Sequence, residues 1–297
     1  MIVAAAICPS PPLLAPELTG QADILPELRT ASAAAVARLL AAAPDVVVVA
    51  GPAETTGPCD PAGRLSLASF APALRQGRPL ADNSKKRHAG PAVASPAVIP
   101  SAVAPSAVIP SAVAPSAVIP SAVAPSAVAA PPLPLALGIG AMLLDDAGYT
   151  GPRKLHGIAE GEPAATCLAL GRQLAASAPR VALLAVGDGT ARRSASAPGY
   201  LDERAAPFDE AVARAVREGD LPAIAALDTA LAAALLAAGR PAWQTLAGAL
   251  SAAATQAGYR AAEHQPADRP AASRPHTAVL YSDAPLGVAY LVATLIP

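Results

Sequence analysis

The chain has little of the residue types on which several common functions depend. Aromatic residues make up 3% of its 297 residues and charged residues 14%, and the formal net charge is -1. A net charge this close to zero gives the chain no bulk electrostatic attraction to nucleic acid or to an anionic membrane surface. We therefore expect neither a nucleic-acid nor a membrane partner, and a core built from small aliphatic side chains.

Cysteine is also scarce. Cys8, Cys59 and Cys167 are odd in number and far apart, and no two of them form a Cys-x-x-Cys pair. This usage argues against a disulfide framework and indicates a reducing compartment. The apolar run before Cys8 is too short for a secretory signal and has no basic flank. We expect a cytoplasmic protein whose residues 2–7 form the first strand.

The usual signatures of nucleophilic, phosphate-binding and metal chemistry are missing. The chain has no G-x-S-x-G, no GxxxxGK and no HExxH. Its four histidines do not pair at metal-ligand spacing; they are His88, His156, His264 and His276. The residue pattern alone therefore predicts no metal site.

What the chain does have is a series of apolar runs of strand length. Residues 45–50 (DVVVVA) and 181–186 (VALLAV) show no helical period, which is typical of strands buried on both faces. Helical stretches alternate with these runs, and strand-helix-strand order predicts parallel pairing. Residues 277–282 and 288–295 predict a terminal hairpin. We expect an α/β fold with a mostly parallel central sheet flanked by helices. Between the site loop and the hairpin, one helix is expected over 221–238.

A repeat of small residues interrupts this pattern at 83–130. SAVAPSAVIP occurs at 101–110 and again at 111–120, with proline at every fifth position. No α-helix tolerates that spacing, so we expect an extended, disordered Pro/Ala/Val insertion within a single domain of residues 1–297. Two interpretations remain: a partner-docking arm, or a neutral expansion in a tolerant loop.

The candidate site follows from the ends of the predicted strands. In an open parallel sheet, ligands bind outside the carboxyl ends of the strands. Asp188, between two glycines behind the 181–186 strand, is the candidate catalytic carboxylate, although Gly-Asp-Gly also suits a plain turn. Arg192 and Arg193 could clamp a carboxylate or phosphate, or form a solvated pair. The candidate ligand-binding residues at this edge are Ser10, Glu54, Thr190, Arg192 and Arg193.

Several segments together resemble one family. They are residues 7–18 (ICPSPPLLAPEL), 46–57, 131–144, 186–212, 239–249 and 281–294. In this order they resemble the class III extradiol ring-cleavage dioxygenases, in a divergent branch found in actinobacteria. The resemblance implies an α/β oxidoreductase of aromatic compound metabolism. Its non-haem Fe(II), held by two histidines and a glutamate, opens catechol-type rings with O₂, and a further histidine transfers protons.

The chain departs from that family where the iron ligands belong. Ser10 stands at the position of the first iron histidine, and a hydroxyl cannot replace an imidazole on Fe(II). The loop after the second strand carries Glu54 and no histidine, and residues 187–193 contain none either. Gln244 and Glu263 lie near the place of the glutamate ligand, and neither fits. No iron ligand is carried over, so we expect that Fe(II) is not retained.

Three hypotheses follow. In the first, a dioxygenase-like protein whose iron site is lost or remodelled binds a small aromatic or anionic molecule. In the second, the chain is an active iron dioxygenase with unconventional ligands such as Asp188, His156 or Glu54. In the third, it is an interaction protein that engages a partner through the repeat at 83–130. We favour the first; the sequence specifies neither a substrate nor an oligomeric state.

Overall fold

The computed structural model of the chain describes residues 1–20, 22, 24–71, 78–79, 131–264 and 274–297. The predicted insertion at 83–130 lies outside these residues. The described strands are β1 (Ile2–Cys8), β2 (Val46–Ala53), β3 (Gly57–Cys59), β4 (Arg64–Leu65), β5 (Arg78–Pro79), β6 (Pro132–Leu133), β7 (Arg153–Ala159), β8 (Val181–Val186), β9 (His276–Asp283) and β10 (Tyr290–Ile296). The described helices are α1 (Pro16–Thr19), α2 (Pro26–Ala41), α3 (Leu135–Asp146), α4 (Ala164–Ala175), α5 (Ala205–Glu218), α6 (Leu221–Ala225), α7 (Thr229–Ala234) and α8 (Arg240–His264), with a 3-10 turn at Pro12–Leu14.

The central sheet of the described residues has seven strands in the order β3-β7-β2-β8-β1-β10-β9. Strands β7, β2, β8 and β1 are parallel to one another. The edges are antiparallel: β3 pairs with β7, and β10 pairs with β1 and β9. The prediction of an α/β fold with a mostly parallel sheet and a C-terminal hairpin is confirmed. A smaller sheet has the order β5-β4-β6.

The apolar runs form central strands because both faces of the sheet are covered by helices. All six residues of β8 are buried. Val181, Leu183 and Ala185 belong to a core shared with α4, α5 and α8. Alternate residues of the same strand belong to a second core, which is shared with α2 and α3. A strand covered on both sides needs apolar residues at every position, which explains the missing alternation.

Helices α4 and α8 pack backbone against backbone. A Cβ atom on Gly171 of α4 would lie 2.0 Å from the carbonyl oxygen of Thr245. On α8, a Cβ on Gly248 would lie 2.3 Å from the carbonyl oxygen of Leu168. This close approach fixes α8 against α4. The Gly239 N–H, just before α8, donates to the Asp188 carbonyl oxygen, so the first turn of α8 lies beside the loop that follows β8.

The helix predicted over 221–238 is two shorter helices. Asp220 caps α6 by accepting a hydrogen bond from the Ala223 N–H, as such a cap residue does. Asp228 caps α7 in the same way through the Leu231 N–H. The second cap begins a new helix within the predicted one, so the prediction of a single helix was wrong. Within the described ranges, no helix combines the length and the apolar run needed to cross a membrane.

Candidate functional site

Ser10 and Asp188 meet at the carboxyl ends of the adjacent strands β1 and β8. The Gly187 N–H donates a hydrogen bond to the Cys8 carbonyl oxygen, which extends the pairing of the two strands by one step. The Ser10 backbone N–H then donates to Asp188 Oδ1 at 2.6 Å. The Ser10 hydroxyl lies 3.5 Å from the same oxygen. The structure thus brings together two of the residues that the sequence selected.

The environment of Asp188 favours its neutral form. Burial raises the pKa of Asp188 to about 6, and the two hydrogen bonds from Ser10 oppose that shift. Tyr290, at the start of β10, is 4% exposed. Burial, together with the negative charge of Asp188, raises the pKa of the Tyr290 phenol. Asp188 therefore titrates closer to neutral pH than an ordinary aspartate, while Tyr290 stays protonated.

Asp209 on α5 organises the loop behind Asp188. Its Oδ2 accepts a hydrogen bond from the Thr190 hydroxyl at 2.6 Å, and its Oδ1 accepts one from the Thr190 N–H at 3.0 Å. Arg193 Nη1 donates to Oδ2 at 3.1 Å. Burial raises the pKa of Asp209, and its bonds to Thr190 and Arg193 oppose the shift. Asp209 was missed by the sequence reasoning. The one signal was an acidic residue early in the helix that follows a loop with two arginines.

Arg192 and Arg193 do not act as one clamp, because their side chains bind different partners. Arg192 Nη1 donates to the Gly199 carbonyl oxygen at 2.6 Å. The Arg192 carbonyl oxygen accepts a hydrogen bond from Asp202 N–H. Arg192 therefore braces the loop from within, while Arg193 is locked to Asp209.

Glu54 and Gln244 lie apart from the Ser10–Asp188 pair. Glu54 is exposed in the bend after β2, and none of the hydrogen bonds among the described residues joins it to Ser10 or Asp188. Gln244 is fully buried. Its Nε2 donates to two carbonyl oxygens and its Oε1 accepts from Arg240, so its role is to hold α8 in place.

A cavity of about 410 Å³ lies directly behind Asp188, between α5 and the terminal hairpin. Ser10 and Asp188 do not line it, but Gly189 and Arg193 of the loop that follows β8 do. Its walls include Gly189, Arg193, Asp209, Trp243, Ala289 and Tyr290. A second cavity, of about 530 Å³, lies between α2 and α3 and borders none of the predicted site residues. We call the first one the α5 cavity.

The residues at this edge do not fit a centre of two histidines and a carboxylate. Ser10 occupies the first histidine position, and His156 lies within β7, where burial lowers its pKa. Among the described residues, no group of three or more His, Cys, Asp and Glu side chains is placed to hold a metal ion. Fe(II) chemistry of the kind implied by the resemblance needs imidazole ligands. The donor set at Asp188 lacks them.

Comparison with known proteins finds a similar solved structure but assigns the chain to no family. No protein-family model matches the chain, and no curated protein matches it. Among solved structures, the chain is similar to the uncharacterized protein JW3007 from Escherichia coli K12, with 14% sequence identity and a TM-score of 0.47. The similarity covers 99% of this chain and 100% of that one. The resemblance to ring-cleavage dioxygenases stays a prediction.

Proposed function

We propose that the chain binds a small organic molecule in the α5 cavity, on a dioxygenase-like scaffold whose iron site has been remodelled. The observation that carries the binding claim is the α5 cavity itself, whose wall includes Gly189, directly after Asp188. The change at the iron site is argued from the Ser10–Asp188 hydrogen bond. It sets a serine and a backbone amide against a carboxylate where the resemblance implies a histidine on iron. In this proposal the ligand binds at the same edge of the sheet as in the family that the chain resembles. Hydrogen-bonding groups replace the metal ligands there.

The α5 cavity has the properties of a small-molecule site. Its volume of about 410 Å³ falls within the usual range for such sites, about 300 to 1,000 Å³. It lies at the carboxyl end of a parallel sheet, where ligands bind in open α/β folds. Gly189, the residue after Asp188, lines it, and so does Tyr290, which lies close enough to Asp188 for the charge of that carboxylate to help raise its pKa. The pKa of Asp188 is itself raised, to about 6. Perturbed carboxyls of this kind cluster at functional sites.

A thermal-shift panel on the purified full chain tests the proposal. The probes are catechol, 4-methylpentanoate, 3-methylbutylamine and L-leucine, which sample a phenol, a carboxylate, an amine and an amino acid. We expect at least one to raise the Tm by about 2 to 4 °C at about ten times its Kd.

Two variants of α5 form the matched pair for this panel. Ala213→Met places a longer side chain in the wall of the cavity, and we expect it to abolish the shift. Ala211→Met makes the same change on the same helix at a residue that does not line the cavity, so the shift should persist. A panel without any Tm shift, or a shift that survives Ala213→Met, would refute the proposal.

The other two hypotheses depend on different residues. An iron enzyme would need Asp188, His156 or Glu54 as ligands, and no described side chains of these types are grouped for that purpose. The interaction hypothesis depends on residues 83–130, outside the described residues. Deletion of 83–130 tests it, because a docking arm predicts lost partner binding with unchanged folding.

A further inference from the structure

The charges around the α5 cavity are of both signs and balance each other. Arg193 and Asp209 form an ion pair at 3.1 Å, so each neutralises the other. Arg214 and Arg217 line the cavity one helical turn apart on α5. Neither of them forms an ion pair within the part of the chain that the structure describes. The cavity therefore offers two guanidinium groups to a ligand.

Two carboxylates line the same cavity. Glu210 lies on α5, one turn before Arg214, and Asp283 lies at the end of β9 on the opposite wall. Neither carboxylate is in an ion pair within the described residues. A purely anionic ligand would meet the two arginines but would also face both carboxylates. A purely cationic ligand would meet the two carboxylates but would also face both arginines.

The remaining wall is small and aliphatic, with one buried polar atom. Ala213, Ala289 and Leu291 are buried residues that line the cavity. Trp243 also lines it and is 1% exposed, and its indole Nε1–H has no hydrogen-bond partner among the described residues. A buried donor without an acceptor costs about 1 to 3 kcal/mol. A ligand acceptor that reached this N–H would recover part of that cost.

From these features we infer that the ligand is a zwitterion that carries a carboxylate, an ammonium group and a small aliphatic body, an α-amino acid in its simplest form. The inference rests on the proposed function and specifies the ligand class of the same cavity. Arg214 and Arg217 bind the carboxylate, and Glu210 and Asp283 bind the ammonium group. Charge-assisted hydrogen bonds of both kinds form only when one ligand carries both groups.

Calorimetric titration of the full chain with three probes of matched shape tests this inference. L-Leucine carries both charged groups, 4-methylpentanoate lacks the ammonium group, and 3-methylbutylamine lacks the carboxylate. We expect L-leucine to bind at least about tenfold more tightly than either analogue, since each analogue leaves one pair of charged residues without a partner.

Single substitutions assign the two groups to the two pairs of residues. Arg217→Gln should weaken L-leucine binding about tenfold, and Arg172→Gln, an exposed arginine on α4 away from the cavity, should leave it unchanged. Glu210→Gln should weaken binding of L-leucine and leave that of 4-methylpentanoate as it is. The carboxylate probe serves as the internal control, because it has no ammonium group for Glu210 to bind.

The outcomes separate this inference from the function on which it rests. Equal affinity for L-leucine and 4-methylpentanoate, or no L-leucine binding up to about 10 mM, would refute the inference that the ligand is a zwitterion. If catechol or a simple carboxylate then still raised the Tm of the wild type and not that of Ala213→Met, the proposed function would stand. If no probe raised the Tm, both would fall.

Discussion

The Ser10 N–H and Asp188 Oδ1 lie 2.6 Å apart and join two loops whose residues are 178 positions apart in the sequence. This hydrogen bond exists because β1 and β8 are neighbours in the sheet and end at the same edge. It holds the Asp188 carboxyl in one position, where loss of water raises its pKa. The candidate site is thus a consequence of sheet order.

Asp188 should make the stability of the protein depend on pH. Burial raises its pKa from the ordinary value of 3.8 to about 6. Between about pH 4 and 6 the folded chain therefore keeps a proton that the unfolded chain releases. The resulting stabilisation of the folded chain is complete below about pH 4 and is lost as the pH rises through 6. Asp188→Asn cannot ionise, so relative to this variant the wild type should lose up to about 3 kcal/mol of unfolding free energy between pH 4 and 7.

Urea denaturation at a series of pH values measures that difference. Glu203→Gln, at an exposed position, should follow the pH dependence of the wild type. Parallel curves for the wild type and Asp188→Asn would show that the Asp188 carboxyl titrates alike in the folded and unfolded chains.

Thr190→Val should destabilise the loop behind Asp188. The substitution keeps the shape of the side chain and removes the hydroxyl that donates to Asp209 Oδ2 at 2.6 Å. A buried carboxylate that loses one donor should cost about 1 to 3 kcal/mol of unfolding free energy, measured by urea denaturation. Thr255→Val, at an exposed position of α8, should change it by less than about 0.5 kcal/mol. Equal effects of the two substitutions would contradict the role of Asp209 as the centre of this loop.

Gly171→Ala should be among the most damaging small substitutions in the chain. The added methyl would lie 2.0 Å from the Thr245 carbonyl oxygen, so α4 and α8 would have to separate. Overpacking against a backbone atom should cost about 3 kcal/mol or more, measured as a loss of unfolding free energy. Gly161→Ala, with no atom within 4 Å of the new Cβ, is the matched control and should be nearly neutral. A small loss for Gly171→Ala would mean that the helices are less closely packed.

The sequence predicted the fold where local pattern and burial agree. Residues 45–50 and 181–186 were recognisable because a strand covered on both faces must be apolar throughout. The sequence predicted that Ser10 and Asp188 lie at the same edge of the sheet, because parallel strands end at one edge. It did not predict their contact, because the order of the strands is set by long-range packing. The break before Asp228 was missed because a cap residue within an alanine-rich helical run gives a weak signal.

The partners of the site residues could not be read from the sequence. Asp209 lies 16 residues after Arg193, and only the fold of the intervening loop brings their side chains together. Arg192 and Arg193 look alike as neighbours in sequence, yet one braces its own loop and the other binds α5. Glu54 follows a buried strand much as Asp188 does, yet it is exposed.

The most direct test of the remodelled site is an anaerobic titration of the purified chain with Fe(II), with bound metal counted after desalting. We expect no stoichiometric iron in the wild type, and none in Ser10→His, because one imidazole beside the Asp188 carboxylate does not make a site of two histidines and a carboxylate. Stoichiometric iron retained by the wild type and lost in Asp188→Asn would contradict the proposal and make Asp188 a metal ligand.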